Sequence, residues 1–237
     1  MHTWNLRRYG APARVTSAAA TIICLTLALL AGVASASRSA EENVAKRALL
    51  VLADMPKGWT QSRSTGNGGG TFPGASNLAG CIGVSARAIT LNPPSANSNE
   101  FDSANESLSV DDSVSAFPSR SIANEQYSAI SNPKTPACMT TLLNGPLKSL
   151  LLSSAGSGAE VGSISVTKEP SSRFARHATA LTVAFSLTER GETVRVQTTE
   201  VFFVRGKEGQ QITFTAIATS FPRTLAHRLT GLAMTRL

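Results

Sequence analysis

The sequence predicts an α+β fold in which an antiparallel sheet of about five strands carries helices packed on one face. Two observations predict this class. Runs rich in β-branched and aromatic residues follow one another in the C-terminal part, with turn residues between them. Segments with apolar residues at helical spacing flank these runs, and an antiparallel sheet with one apolar face needs such a cover.

The composition limits the classes of protein that this chain can belong to. With 237 residues, of which 42% are hydrophobic and 16% charged, it is long enough to bury a core and is neither disordered nor a coiled coil. The net charge is +7, and it falls to +4 without residues 1–36, which hold three arginines and no acid. Beyond that segment Trp59 and Tyr127 are the only Trp and Tyr, so nucleic-acid binding is not expected.

Residues 1–36 have the pattern of a secretory signal peptide. Three arginines precede an uncharged segment whose apolar core spans 22–30, and small residues follow up to Ala36, the predicted cleavage site. The alternative is an uncleaved membrane anchor over 15–37, because a spanning helix needs about 20 apolar residues. Cys24 lies inside the apolar core, so lipid attachment is not expected. Membrane contact is expected only through this segment, if it is uncleaved.

Cysteine usage agrees with export. Beyond the leader the chain retains Cys81 and Cys138, and an even pair in an oxidising compartment predicts one disulfide. The alternative is a metal site, but neither cysteine has another Cys or a His at ligand spacing. The sequence therefore predicts a disulfide and neither a metal nor another cofactor.

The N-terminal part of the predicted domain, which spans 37–237, begins with a helix. Ser39 and Glu42 form a capping box, and apolar residues recur at helical spacing over 44–55. Residues 60–99 are rich in Gly, Asn, Ser and Pro and are predicted as a long loop, either mobile or held by Cys81.

The rest of the domain alternates between strand and helix patterns. Residues 107–117 predict a half-buried strand with a bulge at Asp111 and Asp112. Residues 122–130 predict a short helix, and Thr135 begins another one that carries Cys138. The remaining predicted elements are strands over 161–167, 178–188, 193–205 and 210–219 and an amphipathic helix over 222–237.

The order of these patterns resembles a known family. The run from Ala48 to Trp59 is similar to the opening of many actinobacterial exported proteins. The strand ending at Phe117, the helix bearing Cys138, the long hairpin over 194–215 and the closing helix resemble the PknH-type extracellular sensor domain and its stand-alone secreted relatives. The sequence has one cysteine pair where the kinase sensor domain has two, and it contains no kinase domain. The resemblance implies an α+β fold with a cleft and a role in ligand sensing.

The residue pattern gives little support for catalysis. His177 and His227 are the only histidines beyond the leader, and no G-x-S-x-G nucleophile elbow is present. Surface positions are expected for both histidines, and we expect a protein that is not an enzyme.

An acidic stretch lies in the middle of the chain. Its spacing fits no calcium-binding loop, and neighbouring residues on a strand point to opposite faces. The stretch is interpreted as solvated loop and bulge, and it consists of Glu100, Asp102, Glu106, Asp111 and Asp112.

The C-terminal strands carry the candidate binding residues. Their hydroxyl, amide and guanidinium groups alternate with apolar residues and are expected on the face opposite the apolar one, where they could line a cleft for a small polar or anionic ligand. An ordinary solvated sheet face has the same pattern and is the alternative. The candidates are Thr182, Ser186, Arg195, Gln197, Thr213 and Thr215.

Together these patterns predict a non-catalytic binding or sensor-like domain that acts at or outside the cell envelope. An exported hydrolase and a cell-envelope protein-interaction module are the alternatives. The partner is expected to be a small polar or anionic ligand or an envelope protein.

Overall fold

The computed structural model describes residues 43, 45–62, 74–91, 93–149, 159–175, 177–189 and 191–237. The predicted signal peptide, the alternative membrane anchor and the capping box at Ser39 lie outside these residues. Within the described part of the chain, no helix is both long and hydrophobic enough to cross a membrane.

Nine strands in the described residues form one antiparallel sheet. They are β1 Thr60–Ser62, β2 Ser95–Asn97, β3 Glu100–Asp102, β4 Leu108–Ala116, β5 Ala159–Val161, β6 Ser165–Glu169, β7 Thr179–Glu189, β8 Glu192–Arg205 and β9 Glu208–Ile217. Their order is β1-β3-β4-β9-β8-β7-β5, while β2 pairs with β4 and β6 pairs with β7. The antiparallel α+β class is confirmed, but the sheet is larger than the predicted five strands. Four of the nine strands have three residues each, too few to show an alternating pattern in sequence.

Five α-helices lie with both ends in the described residues: α1 Ala75–Ile82, α2 Ala86–Thr90, α3 Arg120–Ser131, α4 Thr135–Asn144 and α5 Arg223–Arg236. Single 3₁₀ turns lie at Leu52–Asp54 and Ser171–Arg173. The predicted loop over 60–99 was therefore wrong in part, because it contains β1, α1, α2 and β2. The predicted helix over 44–55 is helical at 45–48 and then changes direction. There the amide of Leu50 donates to the Asp112 carboxylate (3.3 Å to each oxygen) instead of continuing the helix.

The two faces of the sheet are defined by its register. On the face called here the front face, Leu181 pairs with Glu200, Glu200 with Thr213, and Thr213 with Asp111. On the opposite, back face, Thr199 pairs with Phe214 and Phe214 with Val110. The apolar side of β7 and the apolar side of β9 thus face in opposite directions, and each half of the sheet needs its own cover.

The front face is covered at its β6–β7 end by α1 to α4. Leu181, Val183, Phe185 and Leu187 of β7 pack in one core with apolar residues of these helices. The predicted disulfide is confirmed here: it joins Cys81 of α1 to Cys138 of α4 with Cα atoms 5.9 Å apart.

The back face is covered by α5 and by the segment around Leu50. Ala226, Leu229 and Ala233 of α5 share a core with Phe214 and its apolar neighbours on β8 and β9. Helices therefore pack on both faces, and the prediction of helices on one face was wrong. Its cause is the register, which turns the apolar residues of successive strands to different sides.

Strand β4 runs without the predicted bulge. Its pairing with β9 is continuous from Leu108 to Ala116. Asp112 fits into the back face because its carboxylate accepts hydrogen bonds from the Gln210 side chain (2.6 Å) and the Leu50 amide. Burial raises the pKa of Asp112 to about 6, although the bonds from Gln210, Ser98 and Leu50 and the charge of Arg236 act against this.

The C-terminal helix is attached to the N-terminal segment by an ion pair. The guanidinium of Arg236 donates to both carboxylate oxygens of Asp54 (2.6 and 2.7 Å) and to the carbonyl of Leu49 (3.0 Å). Burial of Asp54 favours its neutral form, but the bonds from Arg236 and from the Val51 amide outweigh burial and lower its pKa.

Substitution of this arginine tests the attachment. Arg236→Met leaves the Asp54 carboxylate without its bidentate partner, so we expect the free energy of unfolding at pH 7 to fall by about 2 kcal/mol in urea denaturation. Arg223→Met, at the exposed start of the same helix, is the matched control and should change it by less than about 0.5 kcal/mol. Equal stability of the two variants would show that the ion pair adds nothing.

Candidate functional site

The register separates the six residues predicted to bind a ligand. Thr182, Ser186, Arg195 and Gln197 lie on the back face, whereas Thr213 and Thr215 lie on the front face. The six therefore do not line one surface, and the expectation that all lie on the same side of the sheet was wrong.

Within the residues that the structure describes, none of the four back-face candidates lines a cleft. Ser186 and Arg195 face each other across the two strands, and both side chains are exposed. Gln197 is half-buried. The hydroxyl groups of Thr182 and Thr199 hydrogen-bond to each other at 2.8 Å. The cleft expected around Arg195 is thus an open surface.

The two front-face candidates belong to a larger polar surface, which we call the polar floor. In one row, Glu200 of β8, Thr213 of β9 and Asp111 of β4 lie side by side, and Glu100 of β3 continues the row. A second row beside it is formed by Thr198, Thr215, Ser109 and Asp102. Four carboxyl groups from three strands therefore share one face with four hydroxyl groups.

Burial and mutual repulsion weaken the acidity of these carboxyl groups. Burial raises the pKa of Asp111 to about 7, helped by the charges of Glu100, Asp112 and Asp102 and opposed by a hydrogen bond with Thr213. Burial also raises the pKa of Glu200 well above its usual value, and the charge of Asp111 adds to this effect.

The two carboxyl groups at the β3 edge behave in the same way. The pKa of Glu100 is raised by burial and by the charge of Asp102, against a hydrogen bond with Ser109. The pKa of Asp102 is raised by burial and by Glu106, against a hydrogen bond with Ser62. Among the described residues, the charged groups that shift these four pKa values are all carboxyl groups.

Several polar atoms on this side of the sheet are buried without a partner. Glu200 and Thr198 are each 1% exposed, and Glu200 Oε2 and Thr198 Oγ1 have no hydrogen-bond partner among the described residues. The same is true of Gln126 Nε2 on α3, which is 5% exposed. Each such group has lost its hydration without a hydrogen bond from the described part of the chain, which is rare in folded proteins.

A small pocket lies between α3 and the end of the polar floor. Its enclosed part measures about 30 Å³, which is room for one or two water molecules or one small functional group. Gln126, Tyr127 and Ile130 of α3 form one wall. Phe202 and Gln211 line the opposite side, and along their strands they are the next front-face residues after Glu200 and Thr213. The pocket therefore adjoins the polar floor along β8 and β9, and we call the two together the groove.

Phe117 and Gly209 both line this pocket. A Cβ atom on Gly209 would lie 2.8 Å from Phe117 Cε2, which is closer than such atoms approach each other. This contact explains why a residue without a side chain occupies the position.

Gly209→Ala is therefore expected to displace Phe117 and to lower the free energy of unfolding by about 1–3 kcal/mol, measured by chemical denaturation. Gly231→Ala is the matched control because its Cβ would meet open space on α5. There we expect a gain of about 0.5–1 kcal/mol, since alanine favours the helix. If Gly209→Ala lowers the free energy of unfolding by no more than an ordinary surface substitution does, this would contradict the close contact with Phe117.

The interpretation of the acidic stretch as solvated loop and bulge was wrong for most of its members. Glu100, Asp102 and Asp111 lie on the paired strands β3 and β4 and face the front of the sheet, and Asp112 is buried on the back face. Glu106 alone lies exposed in the turn between β3 and β4. The opposite orientation of Asp111 and Asp112 was predicted correctly.

Glu200 was not among the predicted site residues. The available signal was its position as the one charged residue of the stretch 196–204, next to the apolar run 201–204, where an unpaired acid is rarely buried. His177 and His227 are both exposed. In the described part of the chain, no three His, Cys, Asp or Glu side chains are arranged to hold a metal ion.

Comparison with known proteins gives a distant similarity. No family model matches the chain, and no curated protein matches it. Among solved structures, it is similar to one described as the extracellular domain of PknH from Mycobacterium tuberculosis. The similarity covers 82% of this chain and 96% of that chain, with 9% sequence identity and a TM-score of 0.37. At this distance the similarity does not identify a function.

Proposed function

We propose that this protein is an exported, non-catalytic binding domain that holds a small polar ligand in the groove. The observation that carries the proposal is the set of buried polar groups without partners on one side of the sheet. Gln126 lines the pocket, so its Nε2 offers a donor that a bound polar molecule would satisfy, while Glu200 Oε2 and Thr198 Oγ1 lie enclosed in the floor beside it.

An extracytoplasmic location is supported by the disulfide and by the leader pattern. Disulfides persist in oxidising compartments and are rare where thiols are kept reduced. The Cys81–Cys138 bridge fits such a compartment, as does the signal-peptide pattern of residues 1–36. Mass spectrometry of exported material under non-reducing conditions tests both the disulfide and the removal of residues 1–36. Two free thiols would contradict the disulfide, and the mass of the full-length chain would contradict cleavage.

The groove also gives an observation in favour of the hydrolase alternative. Two carboxyl groups of raised pKa on one face, Asp111 and Glu200, are a feature that glycoside hydrolases use for acid catalysis. Glu200 is enclosed, however, whereas a general acid must reach the bond that it protonates. Release of the chromophore from a nitrophenyl glycoside, lost in Asp111→Asn, would favour the hydrolase.

Ligand binding is tested with four small probes of different charge: glucose, glucosamine, 1,4-diaminobutane and citrate. At least one probe is expected to raise the midpoint of thermal unfolding of the full chain by several degrees, because binding to the folded state stabilises it. Gln126→Leu should abolish that increase. Gln61→Leu, an exposed back-face glutamine on β1, is the matched control and should retain it.

The same panel separates the remaining alternatives. Stabilisation by citrate that Arg195→Ala abolishes would place the site on the back face and contradict the groove. Absence of stabilisation by every probe, together with capture of the domain by a purified envelope protein, would favour the interaction module instead.

A further inference from the structure

We infer that the ligand of the groove carries a primary ammonium group, which binds at Asp111 between Glu100 and Thr213 on the polar floor. This inference rests on the proposed function and specifies the class of ligand that the groove takes.

Asp111 occupies the centre of the floor. Thr213 hydrogen-bonds to it from β9, Glu100 and Asp102 lie beside it on β3, and Glu200 lies beyond Thr213 on β8. Asp111, Glu100 and Asp102 are half-buried, so a ligand can reach them from solvent, whereas Glu200 is enclosed behind them. An ammonium group has three donors and no acceptor, which suits a surface that presents several acceptors at once.

The charges around Asp111 select a cation over an anion. Among the described residues, the charged groups that act on the four carboxyls are other carboxyls, and their repulsion is relieved either by protons or by a bound cation. Lys168 of β6 lies on the same face beyond Leu181, but its ammonium group donates to the carbonyl of Ser131 (2.6 Å). An anionic ligand would add to the repulsion, and a neutral one would leave it in place.

The size of the groove limits the rest of the ligand. The ammonium group would lie on the floor, and the adjoining pocket beside Gln126 and Tyr127 admits only one small group. The phenol of Tyr127 donates to the carbonyl of His177 (3.1 Å), so its oxygen is available as an acceptor. Short diamines and amino sugars both meet these limits, and the probes distinguish them.

Isothermal titration calorimetry of the full chain at pH 8 tests the inference. We expect 1,4-diaminobutane or glucosamine to bind at least tenfold more tightly than glucose, which has the same ring as glucosamine without the amine, and than citrate. Asp111→Asn keeps the shape of the side chain and should lower the affinity for the amine at least tenfold. Glu192→Gln, which removes one exposed carboxylate far along the β7–β8 hairpin, is the matched control and should leave the affinity unchanged.

The pH profile gives a readout that a merely structural role of Asp111 would not produce. Affinity for 1,4-diaminobutane, whose two amines stay protonated over this range, should fall at least tenfold between pH 8 and pH 5, because Asp111 takes up a proton as the pH falls through its pKa of about 7. Glu100, Asp102 and Glu200 face Asp111 and add to this uptake, while Tyr127 on α3 stays neutral over this range because its pKa is raised by burial. In Asp111→Asn this dependence should weaken.

Two results separate the failure of this inference from the failure of the proposed function. Equal binding of glucose and of the amines, unaffected by Asp111→Asn but abolished by Gln126→Leu, would overturn the ammonium site and leave the groove as a binding site. No Gln126-dependent binding of any probe would overturn both. If Asp111→Asn fails to fold, Glu100→Gln is the second variant, and unchanged amine affinity in that variant overturns the inference.

Discussion

The double variant Cys81→Ala/Cys138→Ala is expected to have a free energy of unfolding about 4 kcal/mol lower than the wild type. The disulfide joins residues 57 positions apart, and a cross-link over such a loop removes much of the freedom of the unfolded chain. It also joins α1 to α4, two of the helices that cover the β6–β7 end of the front face. Urea denaturation of both proteins at pH 7 measures the difference.

Reduction of the wild type gives an independent control for this prediction. With a thiol reagent present, the wild type should approach the stability of the double variant, and the reagent should leave the variant unchanged. A difference below about 1 kcal/mol would contradict the account, because it would mean that packing alone fixes α1 and α4. The expected loss of about 4 kcal/mol is a large part of the stability of an ordinary domain.

Stability is expected to fall as the pH rises from about 4 to about 8, by about 3 kcal/mol or more. The pKa of Asp111 is raised to about 7 and that of Asp112 to about 6, and that of Glu200 is raised further above its usual value. The folded state therefore holds more protons than the unfolded state over this range, so stability is greatest below the unfolded pKa and is lost as the pH rises through the folded one. Asp54, whose pKa is lowered, has the opposite effect but only at lower pH.

Removal of two of these carboxyl groups tests the source of the slope. Asp111→Asn/Glu200→Gln should reduce the pH dependence by more than half, the remainder coming mainly from Asp112. Glu160→Gln/Glu192→Gln removes two exposed carboxyls instead and should leave the wild-type slope unchanged. Thermal unfolding midpoints between pH 4 and pH 8 give the comparison. A wild-type stability that does not fall as the pH rises would contradict the raised pKa values, because ordinary solvated acids give no pH dependence.

Long elements with a clear period could be predicted from the sequence. The hairpin strands β7, β8 and β9 and the helices α3, α4 and α5 lie within a few residues of their predicted bounds. Their turns at 189–192 and 206–209 were recognised from Gly and charged residues between apolar runs. The disulfide followed from the even number of cysteines beyond the leader, the export pattern and the lack of another Cys or His at ligand spacing.

Elements that depend on distant partners could not be predicted. Strand β1 has three residues and exists through its pairing with β3. The continuous pairing at Asp111 and Asp112 depends on Gln210 and Leu50, which supply the hydrogen bonds that let Asp112 be buried. Two adjacent acids in a local pattern predict a bulge, because the residues that stabilise them in a regular strand are far away in sequence.

The site depends on register, which a single sequence does not fix. Thr213 and Thr215 were singled out correctly as neighbours on one face, but the register places Arg195 on the other side of the sheet. The same register brings Glu200 beside Thr213 and thus near Asp111. A shift by one residue would turn all these side chains to the opposite face.

The most direct test of the account is a carboxyl-carbon NMR titration of the domain with and without 1,4-diaminobutane. We expect the Asp111 carboxyl to titrate with a pKa of about 7 in the free protein and at least one unit lower when the amine is bound, because the cation stabilises its charged form. A pKa near 4 for Asp111 that the amine leaves unchanged would contradict both the acidic floor and its ligand.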